Sequence, residues 1–172
     1  MSKKILVIGG GFVGLTLSAK LLKATDTTLT VLETDTHRLS LLQGGNFYVN
    51  EPGLHSILLN ANNQKKLNFT RVIQSSYYDA VFICIGTQPT TVSVDLPDSI
   101  FSLVDLVSRC LEVNGMVFLR STVEIGTTEK FATSIQKTGR TDISTYFLPE
   151  RTAEGVASVS YTHLTLPTNR EV

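Results

Sequence analysis

The residues best suited to chemistry in this chain are three glycines spaced G-x-G-x-x-G, namely Gly9, Gly11 and Gly14, followed about twenty residues later by an acid, Glu33. Glycine does a different job at each position. Gly9 makes a tight turn out of a strand, Gly11 lets the backbone approach a pyrophosphate, and Gly14 lets the next helix sit close on a sheet. That helix, expected over residues 12–23, turns its first N–H groups, those of Phe12 and Val13, and the positive end of its dipole towards phosphate oxygens. Glu33 ends the second strand, where an acid accepts hydrogen bonds from adenine ribose hydroxyls. A carboxylate there repels a 2′-phosphate, so the set predicts NAD and not NADP. Arg38 reaches the adenine ribose or a phosphate in one reading, and is a solvated helix residue in the other. Thr122, Glu150 and Glu154 lie just past the expected ends of two further strands, where open α/β sheets bind ligands. By themselves the two acids read as a helix N-terminal acid and a surface charge.

These groups need a frame that gathers strand ends along one edge. Residues 5–8 (ILVI) and 80–85 (AVFICI) are unbroken apolar runs, the pattern of strands buried on both faces. Further strands are expected at 29–32, 67–72, 116–119 and 143–148. Between them lie helical stretches: 35–43, with Asp35 or Thr36 as cap; 54–61, with Leu54, Ile57 and Leu58 inward; 96–113, stopped by Asn114-Gly115; and 129–137, capped by Thr127 or Thr128. Strands alternating with helices predict an α/β doubly wound, Rossmann-type parallel sheet, with strand order 3-2-1-4-5-6 and truncated after the sixth strand. Thr87, in the loop after the fourth strand, is either a cofactor contact or loop filler.

The 172 residues suffice for one domain with a sizeable core, and 15 basic against 15 acidic residues leave no basic footprint for nucleic acid or an anionic membrane surface. With no signal-peptide pattern and no apolar run long enough to span a bilayer, the expected location is the cytoplasm. The two cysteines, Cys84 and Cys110, have no metal-ligand spacing and read as packing residues. No metal site is expected.

Four stretches read together, G-G-G-F-V-G-L (9–15), E-P-G-L (51–54), S-T-V-E-I-G-T-T (121–128) and P-E-R-T-A-E-G (149–155), resemble the UDP-glucose/GDP-mannose dehydrogenase family, the nucleotide-sugar 6-dehydrogenases. The resemblance covers residues 3–157 and concerns the family's N-terminal NAD-binding domain. Pro-Glu-Arg at 149–151 leans towards the branch acting on UDP-N-acetylhexosamines. The resemblance implies that C6 of a UDP-sugar passes from alcohol to carboxylate in two NAD-dependent oxidations, with a cysteine holding the aldehyde as a thiohemiacetal and then a thioester that water hydrolyses. It further implies that Thr122 positions the water or reacting oxygen and contacts the cofactor, that Glu150 is the general base, and that Glu154 lies near nicotinamide and substrate. Arg151, Thr152 and Ala153 would line the sugar pocket with Glu150 and Glu154. The loop at 86–89 carries one residue more than the family's usual form, which weakens the Thr87 contact.

The family's catalytic cysteine, its sugar-nucleotide domain and its dimer helix would all lie beyond residue 172, and Cys84 and Cys110 match none of them. The expectation is therefore an inactive NAD-binding half of an enzyme whose parent is a homodimer or larger. Residues 158–172 fit neither the family nor the preceding composition. They resemble translated sequencing-adapter read-through, and are expected to be a non-native tail.

Overall fold

Lys3–Ile8 forms β1, Thr27–Leu32 β2, Leu67–Thr70 β3, Tyr78–Ile83 β4, Leu111–Leu119 β5 and Ser144–Phe147 β6. In the computed structural model, which describes residues 2–24, 26–73, 77–86 and 100–150, they make one parallel sheet in the order β3-β2-β1-β4-β5-β6, the order expected. Five helices accompany it among the described residues: α1 (Phe12–Ala24), α2 (Thr36–Gln43), α3 (Leu54–Asn63), α4 (Val104–Cys110) and α5 (Thr127–Lys137). Successive strand side chains point to opposite faces, so the apolar runs feed two cores. Ile5, Val7, Ala80 and Phe82 pack with Leu15 of α1 and Leu58 of α3 on one face. Leu6, Ile8, Val81 and Ile83 pack with Val107 of α4 and Phe131 and Ile135 of α5 on the other.

The register decides where the site lies. Ile8 pairs with both Leu32 and Ile83, Ile83 with Leu119, and Leu119 with Phe147. The residues that follow these strand ends, Gly9, Glu33, Cys84, Arg120 and Glu150, therefore stand along one edge of the sheet.

Two local expectations are corrected. The helix expected to run to Val113 ends at Cys110, and β5 begins at Leu111. Arg140 is the cause: its guanidinium donates to the carbonyls of Ser108, Leu111 and Glu112, capturing the chain where a helix would have continued. Leu111 then pairs with Tyr78 before the register shifts, and Met116 resumes against Ala80. The last helix is capped by Gly126 in the left-handed region, φ +88°, and not by Thr127 or Thr128, because the Thr127 N–H already turns back to the Glu124 carbonyl. β6 lies at the edge of the sheet, where the expected order puts it, with Tyr146 and Phe147 exposed.

Candidate active site

The strand-to-helix turn is built by contact. Gly9 has φ +105°, and a Cβ there would stand 2.7 Å from the Cys84 carbonyl oxygen; a Cβ on Gly14 would stand 1.9 Å from the Gly9 carbonyl oxygen. Only glycine permits either approach. Gly11 differs, because a Cβ there meets nothing within 4 Å and projects into open space. The Gly11 carbonyl accepts from the Leu15 N–H and so begins α1, leaving the N–H groups of Phe12 and Val13 without helical partners. Open space in front of such donors is what a pyrophosphate requires.

Beside the turn is a pocket of about 210 Å3 lined by Gly9, Gly11, Glu33, Thr34, Arg38 and Gly86, among others. Glu33, only 3% exposed, is fixed at its back. Its Oε1 accepts from the Asp35 N–H at 2.9 Å and from the Arg38 guanidinium at 3.2 Å, and its Oε2 accepts from the Gly10 N–H at 3.2 Å. A carboxylate offers about four acceptor positions, so one remains for a hydroxyl. Asp35 holds Arg38 in place by capping α2, accepting the Arg38 N–H at 2.8 Å. Tyr48 closes the turn from outside, donating its hydroxyl to the Gly10 carbonyl at 2.5 Å.

The second group of polar residues stands where β5 and β6 end. The N–H groups of Arg120 and Ser121 both donate to the Ile83 carbonyl, and the Ser121 hydroxyl donates to the Ile85 carbonyl at 2.7 Å. The Leu148 N–H donates to the Leu119 carbonyl. With both strand ends tied, the Arg120 guanidinium forms an ion pair with the Glu150 carboxylate, their side chains 5% and 9% exposed. Lys20 on α1 lies within electrostatic reach of Glu150, Arg120 and buried Glu51, and burial lowers its pKa from the ordinary value while the two acids oppose that shift. Thr122 is exposed, two residues beyond Arg120.

The sequence profile described as the UDP-glucose/GDP-mannose dehydrogenase family, NAD binding domain, matches residues 3–165. This chain belongs to that family. The matched part is its NAD-binding domain, and the glycine turn, open Gly11 and acid-floored pocket fit that cofactor. Among relatives, the UDP-glucose 6-dehydrogenase of Pseudomonas aeruginosa is 32% identical over 130 residues, covering 74% of this chain and 28% of that protein. The UDP-N-acetyl-D-mannosamine dehydrogenase of Methanococcus vannielii is 29% identical over 140 residues, covering 78% and 32%. The solved UDP-D-ManNAc dehydrogenase of Pyrococcus horikoshii shares the fold, with a TM-score of 0.80 at 21% identity over 90% of this chain and 38% of that one. The chain thus spans about a third of the length of the relatives it matches.

In this NAD-binding domain the structure gathers Gly9, Gly11, Phe12, Val13, Gly14, Glu33 and Arg38 around one turn, and brings Thr122 and Glu150 to the same sheet edge. Thr87, Arg151, Thr152, Ala153 and Glu154 lie outside the described residues. Sequence reasoning missed Gly10, Tyr48, Lys20, Glu51 and Arg120. A signal existed for two of them: Arg120 is a charge placed directly on the end of MVFL, and Glu51 opens the E-P-G-L motif.

Both cysteines are free and buried. Burial pushes the Cys84 thiol up to about 12 and the Cys110 thiol up to about 11. A thiol held so far above neutrality is unreactive. Iodoacetamide at pH 8 is expected to leave both unlabelled in the folded chain and to label both in denaturant; rapid labelling of native Cys84 would refute its burial.

Proposed function

We propose that the protein carrying this domain is a nucleotide-sugar 6-dehydrogenase, oxidising the C6 alcohol of a UDP-sugar to a carboxylate in two NAD-dependent steps. One observation carries the reading: the pyrophosphate turn at Gly11 and the acid Glu150 stand on the same sheet edge, so a dinucleotide laid across the strand ends would bring its reactive end towards Glu150 and Thr122. The relatives' names supply the substrate class, and the Pro-Glu-Arg form at 149–151 favours a UDP-N-acetylhexosamine.

NAD supplies the hydride acceptor for both oxidations. The chain's own residues bind and orient it: the Phe12 and Val13 N–H groups hold the phosphates, and Glu33 takes the ribose. Glu150 takes a proton from the water that hydrolyses the acyl stage, and Thr122 holds the reacting oxygen by hydrogen bonding. Both cysteines of this sequence are buried, so the acyl-carrying thiol comes from elsewhere in the protein, as does the rest of the sugar site. Glu154, Arg151, Thr152 and Ala153 line that site, and Thr87 touches the cofactor. The working protein is cytoplasmic and at least a homodimer, with residues 1–157 as its NAD-binding unit.

The test uses the protein as its gene encodes it, with UDP-glucose, UDP-N-acetylglucosamine and UDP-N-acetylmannosamine offered separately with NAD. Two NADH per sugar and a uronate product are expected from one of the three. NADH formation from none of them, in a preparation that binds NADH, overturns the assignment.

A further inference from the structure

The cluster at the ends of β5 and β6 contains a residue that the proposed chemistry does not yet use. Arg120 is 5% exposed and pairs with Glu150, the acid on which that chemistry rests. We propose that Arg120 is the positioning residue for Glu150, holding its carboxylate ionised and in one orientation above the end of β6. The inference rests on the dehydrogenase reading above.

Three observations support it. First, Arg120 is fixed at the backbone, since its N–H and that of Ser121 share the Ile83 carbonyl while the Leu148 N–H binds the Leu119 carbonyl. The guanidinium thus starts from a rigid strand end, and Glu150 lies only three residues beyond a second one. Second, the pair is nearly dry. Taking both charges out of water costs several kcal/mol, and a well-packed apolar pair often stabilises a fold better, so stability alone is a poor reason for an Arg–Glu pair there. Third, the surroundings are built for a charge in balance. Within electrostatic reach of the pair are Lys20 from α1 and the Cys84 thiol just past β4, and Glu51 from the loop before α3 lies within reach of Lys20, which makes two cations against two carboxylates. A planar guanidinium also holds a carboxylate's orientation, which an ammonium does not. A base that must face water on one side needs that fixed orientation.

The test follows the Glu150 carboxyl directly. In the 172-residue chain labelled with 13C-glutamate, the Glu150 signal is assigned by its loss in Glu150→Gln and titrated from pH 3 to 9. Arg120→Met should raise the midpoint by about one unit or more, because a buried carboxylate without its cation is harder to ionise. Arg120→Lys should recover most of that shift. An unchanged midpoint in folded Arg120→Met overturns the proposal. The unmodified chain gives a second reading that no misfolded variant can spoil: the Arg120 side-chain N–H signals must move with the Glu150 midpoint, and their indifference to it also overturns the proposal. Neither measurement needs NAD or a sugar, so each stands or falls apart from the dehydrogenase assignment. In the active protein, the acid limb of the pH–rate profile should move up in Arg120→Met and return in Arg120→Lys. A limb that stays put reduces Arg120 to a structural strut and overturns its positioning role.

Discussion

Gly14→Val is expected to unfold the chain, whereas Gly11→Val should leave it folded and unable to hold NAD. The two glycines belong to one motif, yet the space around them differs completely. At Gly14 the first added carbon would stand 1.9 Å from the Gly9 carbonyl oxygen and 3.1 Å from its carbon, both backbone atoms that no side-chain rotation can move. Relief requires pulling α1 off the sheet, and α1 carries Leu15 and Leu17 into the core. A loss above about 4–5 kcal/mol, exceptional for one substitution, would consume most of the 5–15 kcal/mol that typically holds a domain together. At Gly11 an added carbon meets nothing within 4 Å, so the fold has no objection. On the proposed reading that space receives the pyrophosphate, so a valine there should displace it from the Phe12 and Val13 N–H groups. Thermal melts should show no cooperative transition for Gly14→Val and a near-native one for Gly11→Val. NADH titration by fluorescence should show Gly11→Val at least about 100-fold weaker, or ~2.7 kcal/mol. Gly11→Val that binds NADH as the unmodified chain does would remove the pyrophosphate from this turn.

The fold was legible because its signals are local. ILVI and AVFICI need burial on both faces, G-x-G-x-x-G forces a turn, and these with the spacing of the other runs are enough to order six strands. What escaped prediction depends on residues distant in sequence. The start of β5 at Leu111 is set by Arg140, which captures the Ser108 carbonyl 32 residues away, and no local propensity encodes that reach. The site divides in the same way. Glu33 was recognisable by type and position, but its three donors come from Gly10, Asp35 and Arg38, and only the folded chain joins them. Arg120 and Glu150 are 30 residues apart, and their pairing appears only once Leu119 is in register with Phe147.

The fixed Glu33 carboxylate leads to the second large effect: NADPH should bind at least about 100-fold more weakly than NADH, ~2.7 kcal/mol in binding free energy. Glu33 cannot swing away from a 2′-phosphate, because donors on three sides hold it and its residue is 3% exposed. Two like charges 4 Å apart repel by about 4 kcal/mol at an effective dielectric of 20. The half-exposed Arg38 offsets part of this, but its guanidinium is already engaged with Glu33 Oε1. Glu33→Gln separates charge from shape. It removes the repulsion and releases Arg38 to meet a phosphate, so the preference for NADH should shrink at least about tenfold, ~1.4 kcal/mol. It also replaces an acceptor-only group by an amide with one oxygen for three donors, leaving at least one N–H poorly met at a cost of about 1–3 kcal/mol. Paired titrations with the two reduced cofactors, alongside a melt, read both consequences. Tighter binding of NADPH by the unmodified chain, or an unchanged preference in Glu33→Gln, would mean that the ribose does not lie against Glu33, since a 2′-phosphate held against that carboxylate could not be indifferent to its charge.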